Sequence, residues 1–95
     1  MTSELERFIR IYLHYEQAQD VRGDLRSTLH AFNASFVAGV RDGLEKVLRT
    51  RELSVAGYER LTDVEFGDED ALYDYLDQMR QYLFADRADQ PLPPE

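Results

Sequence analysis

Cysteine and tryptophan are both missing from this 95-residue chain, and its three prolines all fall within the last five residues. Without cysteine there is no disulfide and no thiolate metal site, the usual supports of small secreted domains. No apolar run of about 18 residues occurs, so no membrane-spanning helix is expected. The opening stretch MTSELERF does not have the basic-then-apolar order of a signal peptide. A soluble, cytoplasmic protein is the expectation.

Positive charge is scarce too. Eleven Lys and Arg face 19 Asp and Glu, for a net charge of −8. The imbalance is one-sided: residues 1–51 sum to +1, residues 52–95 to −9. Such a balance repels phosphates and anionic lipid, so neither nucleic acid nor membrane is an expected partner. An acidic half can steer a basic protein toward itself, although acidic surfaces also serve plain solubility.

Motifs of catalysis are equally sparse. The chain has no G-x-S-x-G elbow, no phosphate-cradling glycine loop and no thiol nucleophile, and catalysis is not expected. His14 and His30 are the only histidines and neither stands at metalloprotease spacing. A calcium loop with Gly67 at its sixth position would put Thr62 first, Val64 third and Tyr73 twelfth, which lacks the ligands. No metal or cofactor is expected.

What the chain does have is 43% hydrophobic residues, mostly at helical spacing. Leu5, Phe8, Ile9, Tyr12 and Leu13 predict a helix from about Glu4 to Glu16 or Gln17, with Ser3 and Glu6 as a capping box. QAQDVRGD breaks the pattern, with Gly23 and Asp24 supplying a turn and a candidate helix cap. From Asp24 or Leu25 to Arg51 no proline intervenes, and Leu25, Leu29, Phe32, Phe36, Val40, Leu44 and Val47 trace one stripe. One continuous helix is predicted there. Gly39 and Gly43, with Ala31, Ala34 and Ala38, would offer a smooth face to a second helix. Ser54 starts a short helix, and Asp68 caps a last one reaching about Phe84.

The expected fold is an all-α, compact bundle of about four helices, one short: a single domain over residues 1–85 with a flexible, Pro-rich tail over 86–95. The predicted core is Leu5, Phe8, Ile9, Tyr12, Leu29, Phe32, Phe36, Val40, Leu44, Val47, Leu48, Leu61, Leu72, Leu76, Met79 and Leu83.

FGDEDALYDYLDQM, residues 66–79, concentrates the acid. Asp68, Glu69 and Asp70 suit a helix start, where the positive end of the helix dipole favours them. Asp74 and Asp77 have no such local reason. They neighbour Tyr73, for which partial exposure is expected.

Three segments resemble the small immunity proteins of contact-dependent growth inhibition systems. YLHYE, Tyr12 to Glu16, is similar to that family's Tyr-Phe-His-Gln-Asp-Trp signature. GLEKVLRTREL, Gly43 to Leu53, resembles its Glu-Leu-x-x-Leu-Leu segment, and YDYLDQMRQYL, Tyr73 to Leu83, its closing helix. The resemblance implies a helical protein that binds and neutralises a toxin domain, often a nuclease with a basic cleft. On that reading the contact surface is Tyr58, Glu59, Asp63, Glu65, Asp68, Glu69, Asp70, Tyr73, Asp74 and Asp77. The alternative is a non-catalytic regulatory module that forms a homodimer through the smooth face of its long second helix; the sequence leaves monomer and homodimer both open.

Overall fold

Two helices that the hydrophobic spacing reads as continuous are each divided in two. The computed structural model describes residues 1–20 and 23–94. Val21 and Arg22, inside the expected turn, and Glu95, at the end of the expected tail, lie outside the described residues. Helix α1 covers Ser3–Tyr12 and α2 covers Tyr15–Ala18. His14 separates them: its backbone is extended, and its ring Nδ1 accepts the Glu16 N–H at 3.3 Å. A side-chain acceptor of this kind offers the backbone an alternative to the helical ladder. The start of α1 is capped by Thr2, whose hydroxyl accepts the Leu5 N–H at 3.1 Å, rather than by Ser3.

The expected long second helix is likewise α3, Leu25–His30, followed by α4, Ala34–Thr50. Asp24 caps α3 as expected. The division falls at Asn33, not at the glycine pair: Asn33 is extended, and its Oδ1 accepts the Phe36 N–H at 2.8 Å. Asparagine is among the strongest N-caps. Arg51 ends α4 in the left-handed region at φ 52°. Helix α5, Val55–Thr62, begins at Ser54, and α6, Glu69–Phe84, begins at Asp68, both caps as predicted. The fold is all-α, and six helices and no strand are found among the described residues.

Helix α4 is the hub, in contact with α1, α3 and α6. Its glycines explain the closeness of α1. A Cβ on Gly43 would fall on the Thr2 hydroxyl and lie 2.9 Å from Leu5 Cβ. One on Gly39 would lie 2.6–2.8 Å from the Glu4 side chain. The Thr2 hydroxyl also donates to the Gly39 carbonyl at 2.9 Å. The glycine part of the smooth face foreseen for a second helix is therefore covered by the chain's own α1, while Ala31 and Ala34 stay exposed.

The core holds eleven of the expected residues, from Leu5, Phe8 and Ile9 on α1 to Met79 and Leu83 on α6. Tyr12, Phe36, Leu48 and Leu61 are half-buried, and Phe32 is exposed, because the chain leaves its helical course between α3 and α4. Tyr58, Val64, Phe66, Tyr73, Tyr75 and Tyr82 take part in the core instead. The segment expected as a tail carries no helix, yet Pro91 and Pro93 are buried. Gln19 Nε2 donates to the Pro93 carbonyl at 3.1 Å, and Gln90 Nε2 to the Ala18 carbonyl at 3.5 Å.

Candidate functional site

The acidic surface is built by α5, α6 and the link between them. Asp63 ends α5 in the left-handed region, φ 61°. Val64 and Phe66 then both turn inward. Glu65, between them, is left outside. Asp68 Oδ1 accepts the Ala71 N–H at 2.8 Å, its capping task. Glu69 and Asp70 occupy the first turn. Glu59, Asp63, Glu65, Asp68, Glu69, Asp70 and Asp74 are exposed, and Asp77 is half-buried.

The two tyrosines expected on this surface are not there. Tyr58 is fully buried, 0% exposed, and Tyr73 is 3% exposed. The physical reason for Tyr73 is a polar anchor inside: its hydroxyl accepts the Leu53 N–H and donates to the Leu53 carbonyl. Tyr58 packs edge-on to Phe66, ring centroids 5.6 Å apart, and Phe66 packs against Tyr75 at 5.3 Å. Burial pushes the Tyr58 and Tyr75 phenols well above their ordinary value.

Several carboxylates already have partners within the chain. Arg51 Nη1 donates to Asp70 at 2.9 Å and to Glu69 at 3.3 Å, and its guanidinium sits over the Tyr73 ring at 4.9 Å. The Asp70 bond, reinforced by Glu69, raises the Arg51 guanidinium above its ordinary value. Asp77 accepts from Arg80 at 3.1 Å and from Gln81 at 2.9 Å, and Asp74 from Gln78 at 2.9 Å. Asp63 meets His14 Nε2 at 3.1 Å. Because the other ring nitrogen of His14 accepts the Glu16 N–H, Nε2 carries the proton donated to Asp63. Glu59 and Glu65 contact no cation among the described residues.

Between the end of α4 and α6 lies an open depression lined by Leu48, Arg51, Asp70, Tyr73, Asp74 and Asp77. Leu48 and Arg51 were not foreseen there. The signal for Arg51 was its place four residues after Val47, at the helix end. The arrangement suits acceptance of hydrogen bonds from guanidinium or ammonium groups, which carboxylates bind with charge assistance. Among the described residues no group of three or more His, Asp or Glu is placed to hold a metal ion, and no helix is long and apolar enough to cross a membrane.

No protein-family model matches the chain, and neither does any curated protein or any solved structure.

Proposed function

We propose that the protein is an immunity protein that binds and neutralises a basic, nuclease-type toxin domain through its α5–α6 surface. The observation that supports this reading most is the run of exposed carboxylates from Glu59 to Asp74 on a half of the chain that sums to −9. An inhibitor of a toxin must associate fast, and complementary charge raises the on-rate over a neutral encounter. Asp70, Asp74 and Asp77 project from one rigid helix beside the apolar floor of Leu48, so a partner's lysine or arginine can lay its stem on carbon and its charge on carboxylate. Burial of Tyr58 and Tyr73 confines their role to shaping this surface from below. The family signature is matched at Tyr12 and His14 and departs from it at Tyr15 and Glu16. The reading is of a non-catalytic, cytoplasmic protein that needs no cofactor.

The test has two steps: a search of the neighbouring genes for one that encodes a large exported toxin, then stopped-flow association with the C-terminal domain of its product. Asp70→Asn, Asp74→Asn and Asp77→Asn together should slow association about tenfold at low salt and flatten its salt dependence. Unchanged kinetics would sink the proposal. Self-association through the small-residue face of α4 has less support, since it would require α1 to leave Gly39 and Gly43.

A further inference from the structure

Two arginines lie over tyrosine rings of α6, and they are bonded very differently. Arg26 is half-buried, 4.5 Å over the Tyr82 ring, and its Nε and Nη2 each donate to a backbone carbonyl, of Tyr82 and of Arg87. It is a structural clamp with its fork in use. Arg51 is exposed, 4.9 Å over the Tyr73 ring, and both of its bonds leave from Nη1, to Asp70 and to Glu69. Its Nε and Nη2 have no hydrogen bond among the described residues. A guanidinium binds carboxylate best as a fork, through two nitrogens at once. Arg51 therefore holds its place with most of that capacity unused.

The place itself suits a guanidinium. Tyr73 is 3% exposed and is fixed from below by its two bonds to Leu53, so the face of its ring is held still. The carboxylates of Asp70, Asp74 and Asp77 line the depression against the one guanidinium of Arg51. Asp77 is shared with Arg80, whereas Asp74 meets only the neutral Gln78 among the described residues. An aromatic face with carboxylates beside it favours a flat, weakly hydrated cation. The compact ammonium of lysine gains the charge attraction and forgoes the stack.

We propose that this depression is a subsite for an arginine of a protein partner, which Arg51 fills in the free protein and gives up on binding. The chain itself indicates the occupant, since it seats a guanidinium there. Exchange is open to it because Arg51 is at the surface, and because a second guanidinium restores every contact that Arg51 leaves. The inference rests on the reading of the α5–α6 surface as a contact face, and adds to it the residue that the partner presents. Arg51 then sets specificity: an incoming side chain must displace a guanidinium, which an ammonium does poorly.

The probes are two fluorescein-labelled peptides of equal length and charge, with arginines in one and lysines in the other spaced by glycine and serine, followed by fluorescence anisotropy at low salt. The wild-type protein should prefer the arginine peptide about threefold, the size of a cation–π contact at an exposed site. Arg51→Ala should tighten the arginine peptide about tenfold and the lysine peptide about threefold, since the vacated ring favours only the flat cation. Arg49→Ala removes an equal charge near the same helix end, in the neighbouring depression, and should tighten both peptides alike. Arg51→Lys keeps the charge and should also widen the preference, which keeps the test alive if circular dichroism shows that Arg51→Ala does not fold. No preference in wild type, or a preference that neither Arg51 variant widens beyond that of Arg49→Ala, overturns the proposal and makes Arg51 a surface ion pair alone. Toxin association is a separate measurement. An arginine preference that stands while the toxin fails to bind upholds the subsite and overturns the immunity reading. Toxin binding with no arginine preference does the reverse.

Discussion

The Tyr73 hydroxyl holds Leu53 by both of its backbone groups, accepting the N–H at 3.0 Å and donating to the carbonyl at 2.9 Å. Through this pair α6 fixes the short link between α4 and α5, and the Arg51 guanidinium closes over the ring from outside. Tyr73→Phe keeps the packing but leaves two buried backbone groups without a partner. The expected cost is about 1–3 kcal/mol, read from the urea midpoint of unfolding. A midpoint equal to that of wild type would show that the bonds are replaced by water at no cost.

Gly43 lies inside α4, where alanine would normally stabilise the helix by about 1 kcal/mol. Here the sign should reverse. The added methyl meets the Thr2 hydroxyl and comes within 2.9 Å of Leu5 Cβ. To make room, α1 must shift away from the hub helix, and overpacking of this kind costs about 1–3 kcal/mol. Gly43→Ala should therefore lower the urea midpoint, with the loss of protection in hydrogen exchange concentrated on α1. A more stable variant would mean that α1 is not held against α4 in solution.

Tyr58 and Tyr75 are both buried, and neither hydroxyl has a hydrogen-bond partner of good geometry, although each lies within electrostatic reach of the other. Burial raises both phenols. In the unfolded chain they ionise near 10. Above that pH the unfolded state holds fewer protons than the folded one, so stability is full below about pH 10 and falls as pH climbs past it. Tyr75→Phe removes one of these groups. It should change stability at pH 7 by less than about 1 kcal/mol, since no bond is lost. It should also move the alkaline unfolding midpoint, followed by circular dichroism, to higher pH. A midpoint that stays put would show that another group governs the transition.

Much of the fold was legible where one local rule decides. Asp24, Ser54 and Asp68 could be read as caps because each precedes an apolar periodic run, and each accepts the expected backbone N–H. The two divisions were hidden because the apolar spacing persists across His14 and Asn33. There a side chain's competition for the backbone outweighs periodicity. At the surface, the carboxylates of α5 and α6 that were read as a contact face are exposed, apart from half-buried Asp77. The tyrosines are not. Tyr73 is held inside by a hydroxyl partner twenty residues away, Leu53, and Tyr58 by packing of its ring on Phe66, and neither contact shows in local spacing. Phe32 failed for the opposite reason: its place on the stripe held only while the helix was unbroken.

The last segment of the chain gives a test of what holds it. Its composition reads as a free, proline-rich tail, whereas the structure buries Pro91 and Pro93 and ties the segment through Arg26. The Arg26 guanidinium stacks over the Tyr82 ring at 4.5 Å, donates to the Tyr82 carbonyl at 2.6 Å and donates to the Arg87 carbonyl. It therefore closes the end of α6 and anchors the first residues beyond it. Trypsin can cut after Arg87, and cleavage requires that peptide to open. Arg26→Ala should speed cleavage after Arg87 about tenfold, because the opening free energy falls by roughly the worth of one charge-assisted hydrogen bond. Cleavage after Arg41, inside α4, should keep its wild-type rate and so report that the bundle is intact. Equal rates after Arg87 in both proteins would mean that the segment is free in solution despite its two buried prolines.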